Sequence, residues 1–309
     1  MKDRIRMQLV VLVIGFLFVG TPVLAAMTST NYEIRFDAFG VGGDDTSNSA
    51  SYQLRDTIGG NAIDQSSSTT YDVRSGYRQG IFDRVAAFQT FVQNRTTQTA
   101  ATALTSNTVT VNSIANIAIG DMIAIVQDQG VSQKTAIGKV TGISGTDVTI
   151  DSQTLSSGAL TINGTNDVVY TLDGTTLSLG SLSPSALSTG IFAWQADGDV
   201  DGGFGVYVYE NHDLQTIVGS TTYTITDVVD GTVSVGAKEY GARSSDSTLT
   251  GSSFDTTDAA FTTSYQLVGS RTDNALNARD FLTIKAAAPA TLQDGNYSHT
   301  LTLIYVGDY

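Results

Sequence analysis

The 309-residue chain has no cysteine. Disulfides, thiol catalysis and cysteine-ligated metal centres are therefore excluded together. Proline occurs only 3 times, which rules out a proline-rich linker protein. There are 2 histidines and 1 tryptophan, so the side chain best suited to acid–base work near neutral pH is almost missing. Charged residues make up 15%, against about 25% in ordinary globular domains. Cations are the scarcer sign: 16 Lys and Arg face 30 Asp and Glu, for a net charge of −14. That balance argues against nucleic acid or an anionic membrane surface as a partner. What remains plentiful is apolar and small. Hydrophobic residues reach 41% and glycine 31 positions, enough for a packed core joined by tight turns.

The N-terminal end reads as an export signal over residues 1–26. Lys2, Arg4 and Arg6 form a basic start, Leu9–Val19 an apolar run, and Pro22 precedes small Ala25 and Ala26. Signal peptidase accepts only small side chains before the cut, so cleavage near Ala25 is expected. No second apolar run of that length follows, so no membrane-spanning helix is expected after cleavage. A secreted or cell-surface location follows. Export without cysteine fits a bacterium better than a eukaryotic secretory pathway.

Beyond the signal, apolar and polar residues alternate with period two, as in Tyr32–Phe36, Thr108–Asn112 and Asp147–Ile150. That is the pattern of half-buried strands, and β-branched and aromatic residues fill it. Strand patterns recur roughly every 8–15 residues between Gly, Asn, Asp and Ser clusters, close to the spacing of sandwiches and barrels. Only Asp273–Asp280 has the makings of a helical turn or two.

The predicted fold is all-β. It is an antiparallel, Ig-like β-sandwich with an inserted small β-barrel or sheet domain and an N-terminal β-meander. Residues 27–84 carry the Tyr-x-aliphatic-Arg repeats at Tyr32–Arg35, Tyr52–Arg55 and Tyr71–Arg74, spaced 20 and 19 residues apart. In each repeat Tyr and the aliphatic residue share one strand face and Arg takes the other. Residues 105–163 form the inserted domain, with a hairpin turn at Ser144–Asp147. Residues 85–104 and 164–309 form the sandwich.

One local pattern points to an ion. Asp197, Asp199 and Asp201 alternate before Gly202 and Gly203. Carboxylates at the first, third and fifth positions of a tight loop can turn their oxygens on a hard cation, with the Gly203 carbonyl as a further ligand. Ca²⁺ is the cofactor this pattern suggests, although Val208 stands where a helix-flanked calcium loop would place Glu. No catalytic residues are assigned. There is no G-x-S-x-G elbow, phosphate-binding loop or paired-histidine motif. Trp194, Phe204, Tyr207 and Tyr209 surround the acidic loop, either as core or as a stacking surface for sugars.

Three C-terminal stretches, Leu177–Pro184, Asp230–Gly241 and Asp294–Leu303, resemble turns and strands of bacterial secreted β-sandwich surface proteins. They are loosely similar to WxL-type and spore-coat-U-type domains. The resemblance covers about half of the chain and implies a structural role outside the cell. The expected function is that of a secreted, non-catalytic structural or adhesive protein that self-associates or joins other surface proteins. Its edge strands would include Tyr297–Tyr309. Two alternatives stay open: a Ca²⁺-supported carbohydrate-binding module, and an outer-membrane β-barrel component whose last strand is Leu301–Tyr309.

Overall fold

The computed structural model describes residues 86–198, 202–273 and 275–307, together with six short strands nearer the N-terminus. The chain divides into two units, residues 1–84 and 85–309. The export signal lies outside the described residues.

In the first unit, β1 (Thr28–Ser29) pairs with β2 (Tyr32–Glu33), β3 (Ser47–Asn48) with β4 (Gln53–Leu54), and β5 (Gln65–Ser67) with β6 (Asp72–Arg74). These are three separate two-stranded sheets. Among the described residues these pairings join near neighbours in the chain. Each repeat contains its own Ser- and Thr-rich partner strand just upstream, and pairing with that near neighbour costs less loop-closure entropy than pairing across a whole repeat.

The second unit is all-β, with a barrel and a sandwich. The barrel strands are β8 (Thr99–Thr105), β9 (Thr108–Val111), β10 (Met122–Gln127), β11 (Lys134–Ser144), β12 (Asp147–Ile150) and β14 (Val168–Thr171). They run in the order β10-β14-β8-β9-β12-β11, and β10 also pairs with β11, which closes a ring of six. β13 (Thr154–Leu155) adds to β11. Val109, Ile123, Ile125, Ala136, Val148, Ile150 and Val169 fill the interior. The ring reaches past the boundaries 105–163 at both ends, because β8 and β14 are needed to close it. Val168–Leu172, expected to resume the sandwich, instead supplies a barrel strand. An open sheet of the same strands would expose two edges, and closure removes them. The Ser144–Asp147 turn forms as expected: Ser144 faces Asp147 across a two-residue turn with Gly145 at φ 61°.

The sandwich has a six-stranded sheet in the order β17-β18-β19-β21-β15-β7. Its strands are β7 (Ala86–Val92), β15 (Ser188–Gly198), β17 (Leu214–Val218), β18 (Thr221–Asp227), β19 (Glu239–Ser244) and β21 (Ala275–Ala287). A three-stranded sheet faces it, with β16 (Phe204–Glu210) between β20 (Gln266–Arg271) and β22 (Leu301–Gly307). Pairing is antiparallel except for the short β18–β19 contact. Residues 275–280, read from sequence as helical turns, are the start of β21. Ala and Leu favour a helix, but pairing of this stretch with β15, continuous with the paired remainder of β21, outweighs that preference.

Parity along β15 and β21 sets the layers. Trp194, Ala196, Leu282, Ile284 and Ala286 point into the sandwich core with Val206, Val208 and Tyr240. Ile191, Ala193 and Phe281 point the opposite way and pack against Met122, Ala124, Val126 and Tyr170 of the barrel. The central strands are thus covered on both faces, and barrel and sandwich share a dry interface. A bidentate ion pair crosses it: Arg279 Nη1 and Nη2 donate to Asp151 Oδ1 and Oδ2 at 2.8 and 2.7 Å. Arg279 is 5% exposed and Asp151 32%. Burial raises the Asp151 pKa, but hydrogen bonds from Arg279 and from the Lys139 and Ser152 amides, with the Arg279 charge, outweigh it and hold it below the usual value.

Asp151→Ala leaves the buried Arg279 guanidinium without its carboxylate. Chemical denaturation should show a loss of roughly 2–4 kcal/mol, and a change below about 0.5 kcal/mol would show that the pair does not hold the two bodies together.

Candidate functional site

The acidic loop read from the sequence is only partly described. Asp199 and Asp201 lie outside the described residues. Asp197 sits near the end of β15 opposite Ala87, and its Oδ1 accepts the backbone N–H of Asn277. Asn277 has φ 54°, and the β15–β21 register shifts there. The Asp197 carboxylate therefore serves a bulge in the neighbouring strand. Gly203 has φ 80°, and a Cβ at that position would lie 1.9 Å from the Arg271 carbonyl oxygen. Glycine is required there for close backbone approach, whatever the loop binds.

Trp194 is 1% exposed and Phe204 5%, so both belong to the core and neither is available to stack on a sugar. On β16 the burial alternates: Phe204, Val206 and Val208 are buried, while Tyr207 and Tyr209 are half-exposed. The four aromatics therefore divide between the sandwich core and the outer face of the three-stranded sheet. The inner face is covered by the six-stranded sheet; the outer face carries tyrosines that remain in contact with water.

A different constellation emerges at the far end of β16. Glu210 is 2% exposed. Its Oε2 lies 3.0 Å from His299 Nδ1, and His299 Nε2 lies 2.7 Å from the Tyr240 hydroxyl. Tyr240 is fully buried, and its pKa is driven well above the usual value by burial and by the Glu210 and Asp227 charges. It therefore stays protonated, and its hydroxyl and the Glu210 carboxylate each engage one ring nitrogen of His299. The Tyr240 and Phe261 rings flank the imidazole edge-on, with centroids at 5.0 and 6.3 Å.

Asp213 and Asp227 complete an acidic trio with Glu210. One oxygen from each lies within 4.8 Å of the others. Asp227 Oδ1 is buried without a hydrogen-bond partner. Burial first, then the charges of Glu210 and Asp213, raise its pKa to about 7 against an opposing pull from His299. Carboxylates crowded in this way relieve their repulsion by taking up a proton or a hard cation. This is where, among the described residues, an ion would find three carboxylate oxygens. Sequence spacing pointed to the Asp197 loop because these three acids sit on separate strands and turns.

Tyr240 and His299 also form part of the floor of a cleft of about 1190 Å³ between the segment 175–184 and the segment 288–301. Leu177, Leu182 and Leu292 line it alongside serines and threonines. His299 has both ring nitrogens engaged within the protein, and His212 Nδ1 lies 2.7 Å from the Asp213 carbonyl.

No family model, curated protein or solved structure matches the chain. The likeness of the C-terminal segments to WxL-type and spore-coat-U-type surface proteins thus rests on those segments alone. Among the described residues no helix is long and apolar enough to cross a membrane.

A second buried carboxylate behaves like Asp227. Asp280, beside Arg271 and Asp246, has its pKa raised to about 6, chiefly by burial. An acid whose pKa rises on folding binds protons better in the native state, so stability increases as pH falls from about 8 towards 4. Asp173 and Asp151 act in the opposite sense: hydrogen bonding lowers Asp173, and stability from both is lost as pH drops below about 4. Melting temperature should therefore peak near pH 4, and Asp227→Asn should flatten the slope between about pH 4 and 8. A maximum at or above pH 7 would contradict the assignment.

Proposed function

We propose that the chain is a secreted, non-catalytic structural or adhesive protein of the cell surface or extracellular space. The observation that carries this reading is the double burial of β15 and β21, which joins barrel and sandwich into one stiff block. Stiffness suits a structural subunit, whereas catalysis usually needs an accessible, poised acid, base or nucleophile. His299 is engaged at both ring nitrogens, and His212 at Nδ1. The basic, apolar and small-residue order of residues 1–26 supports export. The partners that suit this reading are further copies of the chain or other surface proteins.

The Tyr-x-aliphatic-Arg repeats are the elements best suited to association. Among the described residues each contributes a two-stranded pair, and a pair of that length is marginal in water by itself, so it gains from pairing with a neighbour. The last strand is less suitable. Leu301, Leu303 and Tyr305 of β22 pack on the sandwich core, so removing them would compromise the fold itself.

Light scattering on residues 27–309 and on residues 85–309 tests the assembly reading. The longer chain should form concentration-dependent oligomers and the shorter one should stay monomeric. Monomers from both, or identical oligomers from both, would contradict the role given to the repeats.

A further inference from the structure

The outer face of the three-stranded sheet has a composition unlike the rest of this acidic molecule. Register places Tyr207 between Leu267 on one side and Ile304 on the other. Two residues along β16, Tyr209 lies beside Thr302, and its ring meets Tyr265 edge-on with centroids 5.2 Å apart. Two residues in the other direction, Gly205 lies beside Val306. Tyr265 is 67% exposed and Val306 50%, while Tyr207 and Tyr209 are half-buried, each presenting part of its ring to solvent. None of these positions carries a carboxylate, ammonium or guanidinium group, in a chain whose net charge is −14.

Gly205 shows how the tyrosines are held. A Cβ at residue 205 would lie 2.8 Å from Cε2 of the Tyr207 ring and 3.1 Å from its hydroxyl. The ring therefore leans along the strand over the bare glycine backbone, where any larger side chain would displace it. Tyr207 and Tyr209 are two residues apart on one strand, so their attachment points are separated by about 7 Å. The result is an uncharged strip of rings with hydroxyls at its margin, lying on a rigid sheet.

We infer that this face binds a neutral polysaccharide. The inference deepens the adhesive reading above and rests on it. Charge matching supports it: a strip without charged groups on a strongly acidic protein offers nothing to an anionic or cationic partner, and an uncharged chain loses no ionic solvation on contact. Arrangement supports an extended polymer over a small molecule, because the aromatic positions follow one another along β16 and its neighbours, with exposed Tyr265 and Val306 at the two ends. The apolar faces of sugar rings would stack on Tyr207 and Tyr265, and their hydroxyls would reach the tyrosine hydroxyls and Thr302.

The test uses the full mature chain, residues 27–309, in pull-down on microcrystalline cellulose and on chitin and in affinity electrophoresis through a soluble β-1,3-glucan. Retention on at least one of the three is expected. Tyr207→Ala and Tyr265→Ala should each weaken it by roughly tenfold, with Tyr207→Phe close to the parent because it keeps the ring. Gly205→Val should weaken it as well, by lifting Tyr207. Unchanged melting temperatures of the tyrosine variants separate lost binding from lost folding. Absence of retention on all three polysaccharides, or retention indifferent to the tyrosines, overturns the inference. So does a light-scattering change in the Tyr207→Ala Tyr265→Ala double variant, which would make the face a contact between copies. Assembly through the N-terminal repeats is read independently, by comparing residues 27–309 with 85–309, so failure here leaves the structural reading standing.

Discussion

Strands β15 and β21 lie side by side in a sheet that has no wet face along their middle. One side packs into the sandwich core through Trp194, Leu282 and Ile284, and the other packs on the barrel through Ile191, Ala193 and Phe281. Each large apolar side chain buried in this way contributes about 1.5–3 kcal/mol, and the residues come from both bodies. Neither body can withdraw without exposing a face of the other. The remaining features follow from that constraint. The barrel, closed through the β10–β11 pairing, offers one part of its outer side to this interface. The three-stranded sheet is left as the sandwich's other layer, with an outer face still open to solvent at Tyr265 and Val306. The Arg279–Asp151 pair then fixes the angle between two surfaces that apolar contact alone would let slide.

Buried carboxylates run through the sandwich with too few cations to match them. Asp258 has Lys285 at 2.8 Å, and Asp246 and Asp280 share Arg271. Glu210 has only His299, while Asp227 has an oxygen with no partner. An excess of acids over bases in the whole chain thus reappears as local repulsion inside it. The protein meets that repulsion by raising proton affinity at Asp227 and Asp280, which ties its stability to mildly acidic conditions.

Much of the architecture was legible in the sequence because period-two alternation is a local signal. It identified strands across the barrel and the Ser144–Asp147 turn, and hence an all-β chain. Closure and partner choice were not legible. β8 and β14 read as sandwich strands because nothing in Thr99–Thr105 or Val168–Thr171 says which neighbour they will meet. Residues 275–280 read as helix because Ala and Leu favour one locally, and only pairing with the distant strand β15 reverses that. The Glu210, Asp213 and Asp227 trio was invisible for the same reason: its members converge only after β16, β17 and β18 have paired. Trp194 stood near exposed-looking aromatics in sequence, yet parity sends it inward while Tyr207 and Tyr209 point outward. Gly203 matched an ion-loop pattern, and the structure gives it a separate backbone reason.

The central claim is that barrel and sandwich are one cooperative block joined across β15 and β21. Differential scanning calorimetry of residues 85–309 tests it directly. A single transition whose calorimetric and van't Hoff enthalpies agree is the predicted result. Two resolvable transitions, one for each body, would contradict it.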